Sequence, residues 1–136
     1  MPQNPKQISP LTLAFLGDGV YELMVRDHLV RQHGSMPPGK LHQLCVRYVR
    51  AGAQYRAMQL LYDSLTEEEQ TIFRRGRNAS GMSVPKNACP TEYRYATGFE
   101  ALWGYLFLKG EHQRLQQLFA QLLTLDLEGQ PPPTAE

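Results

Sequence analysis

Residues 13–22 of this chain read LAFLGDGVYE, a mostly apolar stretch that holds Asp18 between Gly17 and Gly19. Apolar side chains recur from residue 13 to residue 30 at the spacing of one helical face, which predicts a helix packed into a core. Glycine weakens a helix interior, and a carboxylate near a core is costly unless it is paired or bound to a cation. Gly17 and Gly19 carry no side chains beside Asp18, so we predict that both let another helix come close, the one that bears Glu100.

The rest of the chain continues as helical segments separated by loops that contain glycine and proline. Ser9 and Pro10 are suited to begin the first helix, and Gly34 is suited to end it. The sequence TEEE, from Thr66 to Glu69, is typical of a capping box. We predict helices over about residues 10–32, 40–65, 92–109 and 111–125, and a further helix that follows Thr66 and continues into RRGRNA at 74–79. Thr91 is suited to cap the helix over 92–109, and Gly110 is suited to close it.

These patterns define a fold class. No segment alternates long enough to predict a strand, so we expect an all-α protein with about five or six helices. The 136 residues and the 42% hydrophobic content fit one globular domain. We predict a flexible N-terminal lead over residues 1–8, a folded domain over 9–126 and a disordered C-terminal tail over 127–136.

The bulk composition excludes several classes of protein. The formal net charge is +1, and the two cysteines, Cys45 and Cys89, are too few for a disulfide scaffold. The four histidines show no metal-ligand spacing. No apolar run approaches the roughly 20 residues of a membrane-spanning helix, and the first residues contain no signal-peptide core. We expect a soluble, cytoplasmic protein with no membrane partner.

Two carboxylates stand out because they lie in the two most apolar helices. Asp18 is one, and Glu100 is the other, within a run that has no other charge between Arg94 and Lys109. Each could face solvent, as most acidic side chains do. Gly98 and Gly104 flank Glu100, however, and would let another helix pack closely. Carboxylate oxygens from two facing helices are suitable ligands for a hard cation such as Mg²⁺.

Basic residues are concentrated in one part of the sequence. Residues 74–94 contain five Arg or Lys and only one acid, and the second helix adds further arginines. A solvated charged face would look similar, but basic groups around a glycine-containing loop also suit the phosphates of a nucleic-acid duplex. The candidate RNA-binding residues are Arg47, Arg50, Arg74, Arg75, Arg77, Asn78, Lys86, Asn87 and Arg94.

Four motifs in this order resemble the catalytic domain of the ribonuclease III family. They are LGD at 16–18, RGRNA at 75–79, VPKN at 84–87 and YRYATGFEAL at 93–102. The resemblance covers about residues 9–125, and no double-stranded-RNA-binding domain follows it in the given sequence. This arrangement is similar to that of the compact Mini-ribonuclease III subgroup. It implies the helical bundle of the ribonuclease III endonuclease domain, with about five to seven helices.

The resemblance also implies a site. Asp18 and Glu100 match the family's catalytic and metal-holding acids, and the cofactor would be Mg²⁺, with Mn²⁺ as a substitute. Larger members carry further acids at positions that are Ala14 and Thr97 here. Fewer charged ligands imply weaker metal binding, with more coordination left to water. Glu22 shares a helical face with Asp18 and is a further candidate for the outer shell of the site.

By resemblance, the reaction is metal-assisted hydrolysis of phosphodiesters in double-stranded RNA, and the substrate is the precursor of large-subunit (23S) ribosomal RNA. Family members are homodimers in which each subunit cuts one strand, and a large-subunit ribosomal protein is a further expected partner. An apolar ridge on the first helix fits a symmetric interface. Its members are Leu11, Leu13, Phe15, Leu16 and Val20.

Two other functions remain open from the residues alone. A non-catalytic RNA-binding or ribosome-assembly factor on the same helical scaffold would also use the basic segment. A helical protein-interaction module would need neither the basic segment nor the acids. The carboxylates Asp18 and Glu100 favour the enzyme, because binding alone gives no reason to place buried acids near phosphate.

Overall fold

A computed structural model describes residues 4–128. The α-helices in this range are α1 (Pro10–His33), α2 (Pro38–Val49), α3 (Ala51–Leu61), α4 (Glu67–Arg77), α5 (Pro90–Leu108) and α6 (His112–Leu122), with 3-10 turns at Pro5–Gln7 and Tyr62–Ser64. These residues contain no strand, so the predicted all-α class is confirmed. Between residues 4 and 128, no helix is both long and apolar enough to cross a membrane.

Helix α5 lies at the centre and packs against α1, α3, α4 and α6. Its contact with α1 is close because glycines meet there. A Cβ atom at Gly17 would lie 1.7 Å from the Glu100 carbonyl oxygen, and one at Gly104 would lie 2.0 Å from the Leu13 carbonyl oxygen. Only glycine fits at either position, as expected for Gly17 and Gly104.

Two other glycines near the carboxylates have different surroundings. Gly98 packs against α4, where a Cβ atom would lie 2.6 Å from the carbonyl oxygen of Phe73. A Cβ atom at Gly19 would have no neighbour within 4 Å, so the prediction that Gly19 too admits a helix is wrong. Gly19 and Gly17 are separated by about 200° around the helix axis and therefore face different neighbours.

The core between α1 and α5 is aromatic. The rings of Phe99 and Trp103 are stacked with centroids 4.4 Å apart, and Tyr21 meets both rings edge-on. The Tyr21 hydroxyl donates to the carbonyl oxygen of Tyr48 at 3.1 Å, which ties α2 to the same cluster. Such edge-to-face and stacked pairs contribute about 0.5–1.5 kcal/mol each beyond the area they bury.

The predicted single helix over 40–65 is wrong, because the chain breaks at Arg50. Arg50 is extended, with ψ 153°, and separates α2 from α3. The break turns α3 onto α5, where Ala53, Ala57 and Met58 become fully buried. The helical apolar spacing continues across Arg50, so the sequence pattern did not reveal the change in direction.

The predicted helix caps are confirmed at some positions and wrong at others. The Thr66 hydroxyl accepts from the Glu69 amide at 3.1 Å and the Glu69 carboxylate accepts from the Thr66 amide at 2.9 Å, which confirms the capping box. Thr91 does not cap α5, since Cys89 is the N-cap and Pro90 takes the first helical position that suits proline. Ser9 precedes α1 without making a side-chain cap hydrogen bond.

Helix α6 ends at Leu122 rather than near residue 125. Leu127 lies in the core although it was assigned to the tail, and its side chain is 8% exposed. Residues 1–3 and 129–136 lie outside the described residues, so the division into lead, domain and tail stays a prediction.

Candidate active site

The crossing of α1 and α5 places Asp18 beside Glu100. Gly17 packs on the backbone of Glu100, and Asp18 follows Gly17 directly. Asp18 is exposed and Glu100 is half-buried. The negative charge of Asp18 is close enough to raise the pKa of Glu100. The structure therefore brings together the two acids that the sequence singled out.

The electrostatics of the pair are unfavourable without a counter-ion. Burial raises the pKa of Glu100 to about 8, and the charge of Asp18 adds to this effect. A hydrogen bond from Gln54 acts in the opposite direction but does not outweigh burial. At neutral pH, Glu100 therefore retains a proton unless a cation replaces it.

Gln54 is a member of the site that the sequence analysis missed. Its side chain is 1% exposed. The amide nitrogen Nε2 donates to the carbonyl oxygen of Val49 at 3.1 Å and lies 3.5 Å from Glu100 Oε2. A signal existed, because Gln54 occupies a helical stripe with Met58 and Leu61 where an apolar residue would be expected.

The donor set fits a hard divalent cation that keeps several waters. Asp18 and Glu100 supply carboxylate oxygens from two rigid helices, and one of the two acids is open to solvent. Residues 4–128 contain no group of three or more His, Cys, Asp or Glu side chains placed to hold a metal ion. A cation here would therefore have few protein ligands, as the substitutions at Ala14 and Thr97 imply.

The other positions around the site have separate roles. Thr97 donates to the Tyr93 carbonyl oxygen at 3.0 Å and so satisfies its hydroxyl within α5. Glu22 accepts from the Arg26 guanidinium in an ion pair of 2.6 Å. The structure thus gives Glu22 a partner on its own helix, and its predicted place in an outer shell remains a prediction.

Some of the predicted basic residues lie together at the end of α4. The Arg77 guanidinium lies over the ring of Phe73, 5.5 Å from its centroid, and over that of Tyr95 at 5.9 Å. Arg77 Nε donates to Asn78 Oδ1 at 3.1 Å, and Arg94 Nη1 donates to the Arg77 carbonyl oxygen at 3.5 Å. These stacked and hydrogen-bonded contacts hold the Arg77 cation in a fixed position.

The remaining basic candidates are spread over the surface. Arg74 donates to the Tyr62 hydroxyl, whereas Arg75 donates to the Lys6 carbonyl oxygen at 3.2 Å near the N-terminus. Arg47 borders a pocket with Asp126 and Glu128. The structure therefore does not gather the predicted set into one cluster.

The loop and the start of α3 carry the other three candidates. Lys86 and Asn87 are exposed between α4 and α5. Arg50 is exposed and directly precedes α3, the helix whose first turn carries Gln54 to Glu100.

An apolar surface lies on the outer side of α1. Phe15 is 83% exposed and Leu23 is 68% exposed, and a groove beside them is bordered by Val20 and by Phe107 of α5. Of the predicted ridge, Phe15 is exposed, while Leu11, Leu16 and Val20 are half-buried. Leu13 is 1% exposed and belongs to the core instead. Leu13 faces α5 because it lies one helical turn before Gly17.

Comparisons with known proteins agree with this geometry. Residues 11–111 match the family model described as Ribonuclease III domain. A crystal structure of a Fusobacterium nucleatum protein has the same fold, with a TM-score of 0.79 and 24% identity over 90% of this chain and 97% of that one. The chain belongs to the ribonuclease III family, and the prediction of a double-strand-specific endoribonuclease is confirmed at the level of the family.

Within that family, the chain is similar to proteins named Mini-ribonuclease 3. A protein named Mini-ribonuclease 3 from Symbiobacterium thermophilum is 49% identical over 115 residues, which cover 85% of this chain and 88% of the relative. Another of that name from Brevibacillus brevis is 43% identical, with 94% of each chain covered. The predicted resemblance to the Mini-ribonuclease III subgroup is therefore confirmed.

Proposed function

We propose that this chain is a Mg²⁺-dependent endoribonuclease that cleaves double-stranded RNA, with Asp18 and Glu100 as the residues that hold the cation. The observation that carries the proposal is the α1–α5 crossing, where Gly17 packs on the backbone of Glu100 and so brings the neighbouring Asp18 charge to bear on the Glu100 carboxyl group. Two acids held together in a protein are unfavourable alone and become favourable around a divalent cation. Mn²⁺ has the same preference for oxygen ligands and would serve as a substitute.

The chain's own residues account for the rest of the chemistry. When bound, a divalent cation neutralises charge on the phosphodiester and lowers the pKa of a water molecule. Asp18 and Glu100 fix the position of that charge, because each projects from a rigid helix and the helices cannot slide where Gly17 meets α5. The exposure of Asp18 leaves the site open to the RNA backbone.

We expect the duplex to contact some of the predicted basic residues. Arg77 is held over two aromatic rings, and Arg50 and Lys86 are exposed. Their contacts would be to phosphates, which gives affinity without base specificity. Replacing Arg77 with Ala should flatten the dependence of duplex binding on salt concentration by about one unit of slope. An unchanged slope would remove Arg77 from the RNA surface.

A homodimer would place two such sites on one duplex. The apolar surface around Phe15, Leu23 and Phe107 is what a symmetric contact would bury. Light scattering of the wild type should give twice the chain mass, and replacing Phe15 with Ser should shift the mass towards one chain. A wild-type monomer at micromolar concentration would contradict this part of the proposal.

The family resemblance supports the precursor of large-subunit (23S) ribosomal RNA as the substrate, a large-subunit ribosomal protein as a further partner and the cytoplasm as the location. Cleavage of a duplex stem from that precursor, measured with and without large-subunit proteins, would test substrate and partner together. A stem that is cut no faster than an unrelated duplex would contradict the substrate assignment.

The central experiment incubates a long RNA duplex with the purified protein in Mg²⁺ or in chelator. We expect cutting only with Mg²⁺, and a loss of roughly a hundredfold or more in Asp18→Asn and Glu100→Gln. Asp27→Asn is the matched control, since Asp27 lies on α1 in an exposed ion pair with Arg31.

The outcomes separate the enzyme from its alternative. Wild-type protein that cuts no better than Asp18→Asn under Mg²⁺ would refute the enzyme proposal. If such a protein still bound the duplex with a strong salt dependence, a non-catalytic RNA-binding or ribosome-assembly role would replace it.

A further inference from the structure

Three polar or charged residues are buried in the described part of the chain, namely Gln54, Glu69 and Thr97. The side chains of Glu69 and Thr97 have hydrogen-bond partners. Glu69 is bonded to Arg114 and Thr66, and Thr97 is bonded within α5. Gln54 is different, because its Oε1 atom is buried without a hydrogen-bond partner. Glu92 Oε2 and Trp103 Nε1 are likewise unpaired among the described residues, and of these three side chains Gln54 is the one that reaches Glu100. A buried amide with an unpaired oxygen destabilises the fold, so its presence calls for a role other than packing.

The orientation of the Gln54 amide is fixed by the end of α2. Val49 is the last residue of that helix, so its carbonyl oxygen has no partner inside the helix. A carbonyl oxygen only accepts hydrogen bonds, and the –NH₂ end of Gln54 must therefore face it, at 3.1 Å. The break at Arg50 creates both halves of this contact, since it ends α2 at Val49 and starts α3 just before Gln54.

The same –NH₂ group faces Glu100. Nε2 carries a second hydrogen and lies 3.5 Å from Glu100 Oε2, at the long end of hydrogen-bond distances. The shorter bond to Val49 holds the amide in place, and the amide in turn favours one orientation of the Glu100 carboxylate. One oxygen of Glu100 then faces Gln54, and the other is left for Asp18 and a cation. Groups that orient metal-binding carboxylates in this way affect metal affinity strongly.

We propose that Gln54 is a positioning residue that holds the Glu100 carboxylate in the orientation needed to bind a divalent cation opposite Asp18. The proposal rests on the function proposed above for those two acids. Gln54 has no exposed surface with which to contact RNA, so its effect reaches the reaction only through Glu100.

The test compares metal binding with stability in Gln54→Met, which keeps the length of the side chain and removes the donor. Mn²⁺ binding is measured directly, through the electron paramagnetic resonance signal of free Mn²⁺. We expect the apparent Kd for Mn²⁺ to rise about tenfold or more. The melting temperature should fall only modestly, because the Val49 carbonyl oxygen loses its donor while the unpaired Gln54 oxygen is also removed. Cleavage should recover at high Mg²⁺, and KM for the duplex should not change.

Controls make each outcome decisive. Gln59→Met changes an exposed glutamine on the same helix and should leave Mn²⁺ binding unchanged. Gln54→Leu gives a second reading if Gln54→Met does not fold. If Glu100→Gln weakens Mn²⁺ binding and the folded Gln54 variants do not, Gln54 is a packing residue and the inference is overturned. If Glu100→Gln also binds Mn²⁺ as the wild type does, the proposed metal site itself is wrong.

Discussion

Glu69 and Glu100 are two glutamates on helices that pack into one core, and their surroundings have opposite effects. Burial would raise the pKa of Glu69, but hydrogen bonds from the Arg114 guanidinium and from the Thr66 amide outweigh it, and the pKa is lowered. Burial also acts on Glu100, yet its charged neighbour is Asp18, and its pKa rises to about 8. The fold thus stabilises the charged form of Glu69 and destabilises the charged form of Glu100.

The difference shows which buried charge has a structural role. Glu69 closes the capping box of α4 and ties α4 to α6 through Arg114, so its charge holds helices together. Glu100 has no such ion pair among the described residues, and its charged form has only the long contact to Gln54 of α3, at 3.5 Å. A fold retains such an unfavourable group where activity requires it, because removing it would otherwise add stability.

The largest effect on stability is expected at Gly17, where α1 packs against the backbone of Glu100. In Gly17→Ala the new methyl group would collide with the Glu100 carbonyl oxygen, so α1 and α5 must separate. We expect a loss of about 3 kcal/mol or more in the free energy of unfolding, measured with urea. Gly19→Ala is the matched control in open space and should gain about 0.5–1 kcal/mol from helix propensity. Equal effects at the two positions would contradict the packing described here.

A smaller loss of stability is expected when Glu69 loses its partner Arg114. Arg114→Met leaves the Glu69 carboxylate buried without its cation and should cost about 2–3 kcal/mol near pH 7. Because the pKa of Glu69 is lowered by folding, this contribution is present above the ordinary glutamate pKa and is lost as the pH falls through the folded value. Arg31→Met breaks an exposed pair and should change stability by less than about 0.5 kcal/mol. A loss in Arg114→Met that stays constant down to strongly acidic pH would argue against the ion pair as its cause.

The smallest expected effect is a gain in stability, at Glu100. Without divalent cations, Glu100→Gln should be more stable than the wild type by about 0.5–2 kcal/mol at pH 8. Folding raises the pKa of Glu100 from 4.5 to about 8, so the wild type loses stability as the pH rises across that interval and loses no more above it. The advantage of the variant should therefore be small near pH 4.5 and grow towards pH 8. A variant less stable than the wild type throughout this range would refute the comparison.

The sequence predicted the parts of this account that depend on local chemistry. The capping box at Thr66 is confirmed, because its hydrogen bonds join residues three apart in sequence. The need for glycine at Gly17 is also confirmed, although the contact is with α5, because the absence of a side chain at that position is visible in the sequence itself. The acids Asp18 and Glu100 were singled out by their apolar surroundings, and the structure brings them together.

The parts that were missed depend on the direction of the chain in space. The break at Arg50 leaves the helical periodicity intact, so nothing in the spacing indicated that α3 turns towards α5. Gln54 reaches Glu100 only because of that turn. Arg74 and Arg75 are adjacent in sequence but point about 100° apart on α4, so a count of charges could not show that they contact different regions.

The central claim is that the Asp18–Glu100 pair is unfavourable alone and is stabilised by a divalent cation. Thermal unfolding at pH 7.5, with and without Mn²⁺, tests this most directly when the wild type and Glu100→Gln are compared. We expect Mn²⁺ at about a hundred times its Kd to stabilise the wild type by about 2.7 kcal/mol and to leave Glu100→Gln nearly unchanged. Equal stabilisation of both proteins, or of neither, would contradict it.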